Sequence, residues 1–398
     1  MKKKHLVMLS LAMMLMVGCS KSSNDGDNKK DTVTEVPTLQ EEATSTPEVT
    51  QEVDETITIK QIPPMDFVKD LKLGWNLGNT LDAKGSMGIG SENAWGNPTT
   101  TKEMIVAVKD AGFNVIRIPV TWDSHMLTSG DYMIHDKWLE RVKEVVDYAY
   151  EEGMYVIINM HHEEWLFPSY DNQEAAASRL KAAWTQIANY FIEYDERLIF
   201  EGMNEPRMTG TPNEWNGGNQ EGWDVINYLD KTFVESVRAT GGNNRYRQLM
   251  VPGYAASSST NALKAIQLPE DDHIIVSVHA YLPYMMALEG GNTTSFDATN
   301  ENDTRDIDNL MKSLNDLFIS KGIPVIIGEF GSRNKENLAD RVELAEYYVK
   351  AAHQYNIPCI WWDNNVFTGS GEQFGLYDRR ANQWIYPEIV EALLKGIE

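Results

Sequence analysis

Two glutamates stand where short apolar runs end, in Leu198-Ile199-Phe200-Glu201-Gly202-Met203-Asn204-Glu205-Pro206 and in Ile323-Pro324-Val325-Ile326-Ile327-Gly328-Glu329-Phe330-Gly331. Runs of this length bounded by Gly and Pro read as buried strands, each delivering one carboxylate at its C-terminal end. Two carboxylates so presented can cut a glycosidic bond. One protonates the leaving oxygen, and the other attacks or stabilises the anomeric carbon. The first must stay neutral at a pH where the second is ionised, so the two need different surroundings. Glu205 and Glu329 are therefore the expected catalytic pair. Asn204, immediately before Glu205, is placed to hold a sugar hydroxyl near the attacked carbon. Alone, Glu205 could equally cap a loop or pair with Arg207; the second strand-borne glutamate favours catalysis.

Such a pair needs a scaffold whose strand ends converge. Candidate strands recur at Leu71–Leu77, Asn114–Val120, Tyr155–Met160, Leu198–Met203, Gln248–Pro252, Ile274–His279, Pro324–Gly328 and Pro358–Trp362, separated by amphipathic stretches. This alternation predicts repeated βα units, and eight strands are the number that closes an α/β (β/α)8 TIM barrel, whose chemistry lies at the strand C-termini. Thr100-Thr101-Lys102-Glu103 reads as a capping box before a helix that Gly112 ends. Asp136–Glu152 places Trp138, Leu139, Val142, Val145, Val146 and Ala149 on one face before Gly153 stops it. Gly88-Ile89-Gly90 lacks a preceding strand and a P-loop lysine, and is expected to be a flexible loop.

The ordered motifs Gly74-Trp75-Asn76-Leu77-Gly78-Asn79-Thr80-Leu81-Asp82, Ala94-Trp95-Gly96-Asn97-Pro98, Asn114 to Trp122, Asn159-Met160-His161-His162, Phe200 to Pro206, His279-Ala280-Tyr281, Gly328-Glu329-Phe330-Gly331 and Trp361-Trp362-Asp363-Asn364 carry a resemblance. From Leu71 onward the chain resembles glycoside hydrolase family 5 cellulases, in particular the bacterial endo-β-1,4-glucanase subgroup that includes xyloglucanases. The resemblance implies net retention through a covalent glycosyl-enzyme, with Glu205 as acid/base and Glu329 as nucleophile. It implies further roles for Arg117, His161, Asn204, His279, Tyr281 and Trp362, each of which the strand reading places in or just after a strand end. Arg117 lies within a strand, where a cation is costly to bury unpaired, so it is expected to hold Glu329 ionised; a purely structural salt bridge would make the same contact. Tyr281 is a candidate donor to Glu329 or to the ring oxygen, and His279 a candidate tuner of Glu205. Trp362 is the expected sugar platform, with Asn79, His162, Trp165, Trp215 and Trp223 as weaker loop candidates, whereas Trp138 and Trp184 follow helical spacing and belong to the core.

No cofactor is expected. His161-His162 is followed by Glu163-Glu164 without the spacing of a zinc-protease motif, so metal catalysis is not expected, while the sequence is compatible with a structural calcium. Lys2, Lys3 and Lys4 precede an apolar stretch from Leu6 to Val17 that is too short for a membrane span, so residues 1–19 read as an export signal. Cys19 after Leu15-Met16-Val17-Gly18 resembles a bacterial lipobox and is the expected lipidation site. Met16 stands where that pattern has Leu, and cleavage by an ordinary signal peptidase is the alternative. Residues 20–56 are Ser, Thr, Asp, Glu and Pro with hardly a large apolar side chain, which predicts a disordered tether before a catalytic domain at 57–398. Cys359, in an apolar run, is expected to be a buried hydrophobe. The net charge of −24 argues against nucleic acid and anionic membranes as partners and suits a neutral sugar polymer. A β-1,4-glucan is the expected partner, any membrane contact is through the lipid alone, and the chain is expected to be monomeric, on the cell surface or secreted. Two alternatives stay open: another polysaccharide (xyloglucan, mixed-linkage glucan, mannan or xylan), chosen by loops such as Ala287–Asp303, or a surface glycan-binding lipoprotein on an inactive barrel.

Overall fold

Eight short strands pair side by side, all parallel, in the order β1 to β8, and β8 returns to pair with β1 so that no edge remains. The strands are β1 (Leu73–Leu77), β2 (Val115–Ile118), β3 (Tyr155–Asn159), β4 (Leu198–Glu201), β5 (Leu249–Ser257), β6 (Ile274–His279), β7 (Val325–Phe330) and β8 (Cys359–Asp363). All eight expected strands are present. The structure is a computed structural model, and it describes residues 57–398 except 86–87, 289–292 and 370. The expected export signal with Cys19 and the tether at 20–56 lie outside the described residues.

Strand alternation explains both faces of the barrel wall. Inward-pointing Val115, Ile157, Ile199, Met250, Ile275, Ile326 and Ile360 pack together, and Phe67, Val68 and Leu71 from the segment before β1 close this end. The alternate residues face helices such as Asp136–Glu151, which buries Trp138, Leu139, Val142, Val145, Val146 and Ala149 as expected. Each isoleucine so enclosed contributes roughly 1.5–3 kcal/mol of transfer free energy. Cys359 is buried and apolar in its surroundings, and burial pushes its thiol well up.

Three local expectations fail for identifiable reasons. Gly88–Asn93 is a short 3₁₀ turn rather than a loose loop, because it carries Glu92 into the interior. There Glu92 receives two bonds of 2.9 Å from Arg141 and one of 2.7 Å from the Thr100 amide. With that amide taken, the helix starts at Lys102 with Thr101 at its N-cap and no side-chain cap, so the Thr100 capping box does not form. Glu329 also lies inside β7, not after it: the β6–β7 register shifts between Val278 and His279, and the β7–β8 register between Ile327 and Phe330. Such irregularities re-aim a side chain, here toward the barrel mouth. Strand β5 runs on to Ser257 past a register shift, with Ala255 and Ala256 at left-handed φ of 54° and 45°. Of these strained alanines, Ala255 borders the cleft at the mouth.

Candidate active site

Above the apolar floor the same alternation puts polar side chains inward. Arg117 stands two residues beyond Val115, Glu201 beyond Ile199, Ser277 beyond Ile275 and Asn76 beyond Gly74, and all are fully buried. Arg117 joins them. Its Nε donates to Glu201 Oε2 at 2.7 Å, Nη1 to Glu329 Oε1 at 2.8 Å and to Asn76 Oδ1 at 2.9 Å, and Nη2 to Asn204 Oδ1 at 2.7 Å. Ser277 donates its hydroxyl to the other oxygen of Glu201 at 2.6 Å. Burial opposes every charge here, but Glu201 and Glu329 keep the guanidinium protonated, and Arg117 with His279 holds Glu201 at about 2. A buried cation and two buried anions thus form a network with hydrogen-bond partners throughout.

The two expected catalytic carboxyls meet at the top of this layer. Glu329 accepts from Arg117 through Oε1 and from the Tyr281 hydroxyl through Oε2, at 2.8 Å each. His279 Nδ1 lies 2.8 Å from Glu205 Oε1 and 3.6 Å from Glu329 Oε1. Carboxylate oxygens of Glu205 and Glu329 come within 4.8 Å of each other. Burial works against charge on His279, yet Glu329, Glu201 and Glu205 around it raise its pKa to about 9. Burial likewise opposes charge on Glu205, but the bond and charge of His279, then Arg207 and Arg117, hold this carboxyl below its ordinary value. Burial raises Glu329 and the charge of Glu205 adds to the rise, with His279, Arg117 and the Tyr281 bond limiting it. Two carboxyls this close titrate as a pair.

Around them opens a cleft of about 960 Å³ whose wall includes Asn79, His161, His162, Asn204, Tyr281 and Trp362, so the expected binding residues converge. The Trp362 ring lies parallel to His161, with 5.7 Å between centroids and 2° between planes. Its edge rests on Gly78, where a Cβ would come within 2.9 Å of the indole. Asn159 Oδ1 accepts from the Val120 amide, which leaves Nδ2 to donate to His161 Nδ1 at 3.1 Å. That leaves Nε2–H of His161 as a donor, and burial keeps the ring neutral. Asp82, His161 and His162 place ligand-capable atoms within 4.8 Å of one another, but a protonated Nε2 is not a ligand, and both Asp82 oxygens already accept backbone amides from Asn79 and Thr80. This set suits hydroxyl recognition better than a cation.

Of the weaker tryptophans, Trp215 lines the cleft and Trp165 and Trp223 do not. The indole of Trp165 donates to Glu163 under the Arg179 guanidinium, and that of Trp223 donates to the Gly217 carbonyl, so both are packing residues. Sequence reasoning passed over Glu201, Ser277 and Asn76, which period-two counting along the strands from Ile199, Ile275 and Gly74 would have placed inward. Trp95, Tyr284 and Glu372 on the cleft wall carried no such signal, since Trp95 and Glu372 come from loops and Tyr284 opens a single helical turn, all outside the strands.

A closed parallel barrel with two carboxyls facing each other at its mouth defines the chain as a glycosidase-type barrel protein. The family model for cellulase (glycosyl hydrolase family 5) matches residues 81–368. The chain is 46% identical to endoglucanase 1 of Ruminococcus albus over 96% of its own length and 93% of that protein, and 50% identical to endoglucanase B of the same organism over 84% and 80%. It superposes with TM-score 0.82 on a GH5-4 broad specificity endoglucanase from Ruminococcus champanellensis with bound cellotriose, at 47% identity over 85% of this chain and 99% of that one. A lichenase from Caldicellulosiruptor sp. F32, in a complex with cellotetraose, gives TM-score 0.81 at 47% identity over 85% and 96%. The chain belongs to glycosyl hydrolase family 5.

Proposed function

We propose that this enzyme hydrolyses internal β-1,4-glucosidic bonds of glucan chains by double displacement, with Glu205 as acid/base and Glu329 as nucleophile. The carrying observation is the approach of the two carboxyls to within 4.8 Å. Oxygens this near fit the retaining spacing of about 5–5.5 Å between carboxyl groups, whereas an inverting site, at roughly 6.5–9.5 Å, leaves room for a water between carboxyl and sugar. Glu329, held through both oxygens by Arg117 and Tyr281, attacks the anomeric carbon as the bond to the leaving oxygen breaks. The proton for that oxygen resides in the His279–Glu205 hydrogen bond, and a sugar that displaces water from Glu205 favours its neutral form. Glu205 then takes a proton from the water that releases the glycosyl-enzyme. Asn204 and His161 offer hydrogen bonds to sugar hydroxyls, and Trp362 offers its apolar face.

The relatives are named endoglucanases, and one structural neighbour carries cellotriose, which supports a β-1,4-glucan as substrate. Neighbours described as broad-specificity endoglucanase and lichenase support a second reading, in which mixed-linkage glucan is also cleaved. We further propose, on the sequence alone, a monomer exported and anchored through lipid on Cys19. Labelled-palmitate uptake lost in Cys19→Ser would support the anchor, and retention of label would refute it. The test of the function is proton NMR of the products from carboxymethyl-cellulose, lichenan, xyloglucan, xylan and mannan. Early β-anomeric ends are expected from the glucans; early α-anomeric ends refute retention. No cleavage of any polymer turns the assignment toward a glycan-binding protein.

A further inference from the structure

Glu205 Oε1 faces His279, and Arg207 faces its Oε2. Arg207 Nη1 lies 3.7 Å from Oε2 and donates to the backbone carbonyl of Glu205 itself at 3.0 Å. The guanidinium is fixed from behind. Its Nε donates to Glu214 Oε1 at 3.3 Å, its carbon sits 4.0 Å from the centroid of the Trp215 ring, and Glu214 is held in turn by the Gly210 amide at 2.8 Å. The loop bearing all three is tied to β5 by Tyr254, whose hydroxyl accepts from the Met208 amide and donates to the Asn213 carbonyl, each at 2.9 Å. Arg207 and Trp215 both line the cleft.

We propose that Arg207 is the positioning residue of the acid/base: it aims Glu205 by holding its backbone carbonyl, and it adds a positive charge at the carboxyl oxygen that His279 does not contact. This deepens the proposed function and rests on the reading of Glu205 as acid/base. An arginine suits the task better than a lysine, because its planar fork reaches the carbonyl, Oε2 and Glu214 at once while its face stacks on indole. The other charged or titratable groups that act on or feel Glu205 are His279, Arg117, Glu329, Tyr281, His162 and Glu372. Arg207 is distinct among them in contacting Glu205 from its own loop. A cation beside the carboxyl favours its ionised form, so removing the cation delays proton loss to higher pH.

The experiment compares Arg207→Met, Arg207→Gln and Arg207→Lys with wild type on aryl β-cellobiosides bearing phenol or dinitrophenol, across pH. For the Met and Gln variants the alkaline limb of kcat/KM on the phenol substrate should move up by about half to one pH unit, a shift scaled down for partial exposure. Their kcat at the optimum should fall about tenfold with phenol and by less than about twofold with dinitrophenol, which needs little acid assistance. Arg207→Lys should restore the limb. An unmoved limb, or equal losses on both substrates, would overturn the proposal and leave Arg207 a loop support; a melting curve checks folding, and either neutral variant suffices. Glu205→Gln runs beside them. If it too loses both substrates equally, the acid/base reading itself fails; if it discriminates and the Arg207 variants do not, only this inference fails.

Discussion

Glu201 accepts from Arg117 at 2.7 Å, and neither side chain reaches solvent. The pair lies beneath the candidate nucleophile and fixes Arg117 so that its Nη1 meets Glu329. Glu201→Gln keeps the shape but removes a charge that a buried cation requires. Breaking one partner of a buried pair costs about 3–5 kcal/mol, and that loss is expected in urea unfolding. A change below about 1 kcal/mol would show that Arg117 is neutralised adequately by Glu329 alone. Activity should fall as well, since Arg117 is then free to turn from Glu329.

The proposed roles of Glu329 and Glu205 separate in mutant kinetics. Glu329→Gln should show no detectable turnover on any substrate, because no covalent intermediate can form; substantial residual activity would remove Glu329 from the nucleophile's place. Glu205→Gln should lose about 10²–10⁴-fold on polysaccharide and far less on dinitrophenyl β-cellobioside.

Much of this architecture is legible in the residues. Arg117, Glu205, His279 and Trp362 sit at or near the ends of apolar runs, and periodicity is a local property that survives without tertiary information. Glu201 is less legible, because it sits inside its run and its placement depends on strand parity, which only matters once the barrel is closed. The loop side of the cleft resisted reading for another reason. Trp215 faces the cleft while Trp223 packs beneath, and their difference is set by Arg207 stacking on one and the Gly217 carbonyl accepting from the other. Both contacts are close in sequence, but they depend on the course of an irregular loop that no periodicity encodes. The Thr100 capping box failed likewise, since Glu92 reached its amide through a turn that no local rule foretells.

Tyr281 donates to Glu329 Oε2 at 2.8 Å, and that bond favours the ionised nucleophile. Tyr281→Phe removes it without emptying the site. A hydrogen bond to a charged group is worth about 1.5–3 kcal/mol, so kcat/KM should fall roughly 10–100-fold. The sign of the pH effect follows: without the donor Glu329 binds its proton more tightly, so the acid limb moves to higher pH. A limb that stays in place with an equal loss of rate at every pH would mean that Tyr281 serves the sugar and not the carboxylate.

Asp230 lies in the helix Gln220–Arg238 at 1% exposure, and its Oδ1 meets no donor among the described residues. Burial alone raises its pKa well above the ordinary value of 3.8. The folded chain therefore holds this proton where the unfolded chain has released it. Linkage fixes the direction: the stability associated with the neutral form is fully present below the ordinary aspartate range and is lost progressively as pH rises toward the folded-state pKa. Asp230→Asn keeps the shape and has no proton to lose. Its unfolding midpoint in urea should rise relative to wild type between about pH 4 and pH 8, with the gap widening as pH increases. A gap independent of pH would show that Asp230 is neutralised equally in both states, and one that narrows toward alkaline pH would mean that it is ionised and paired in the fold.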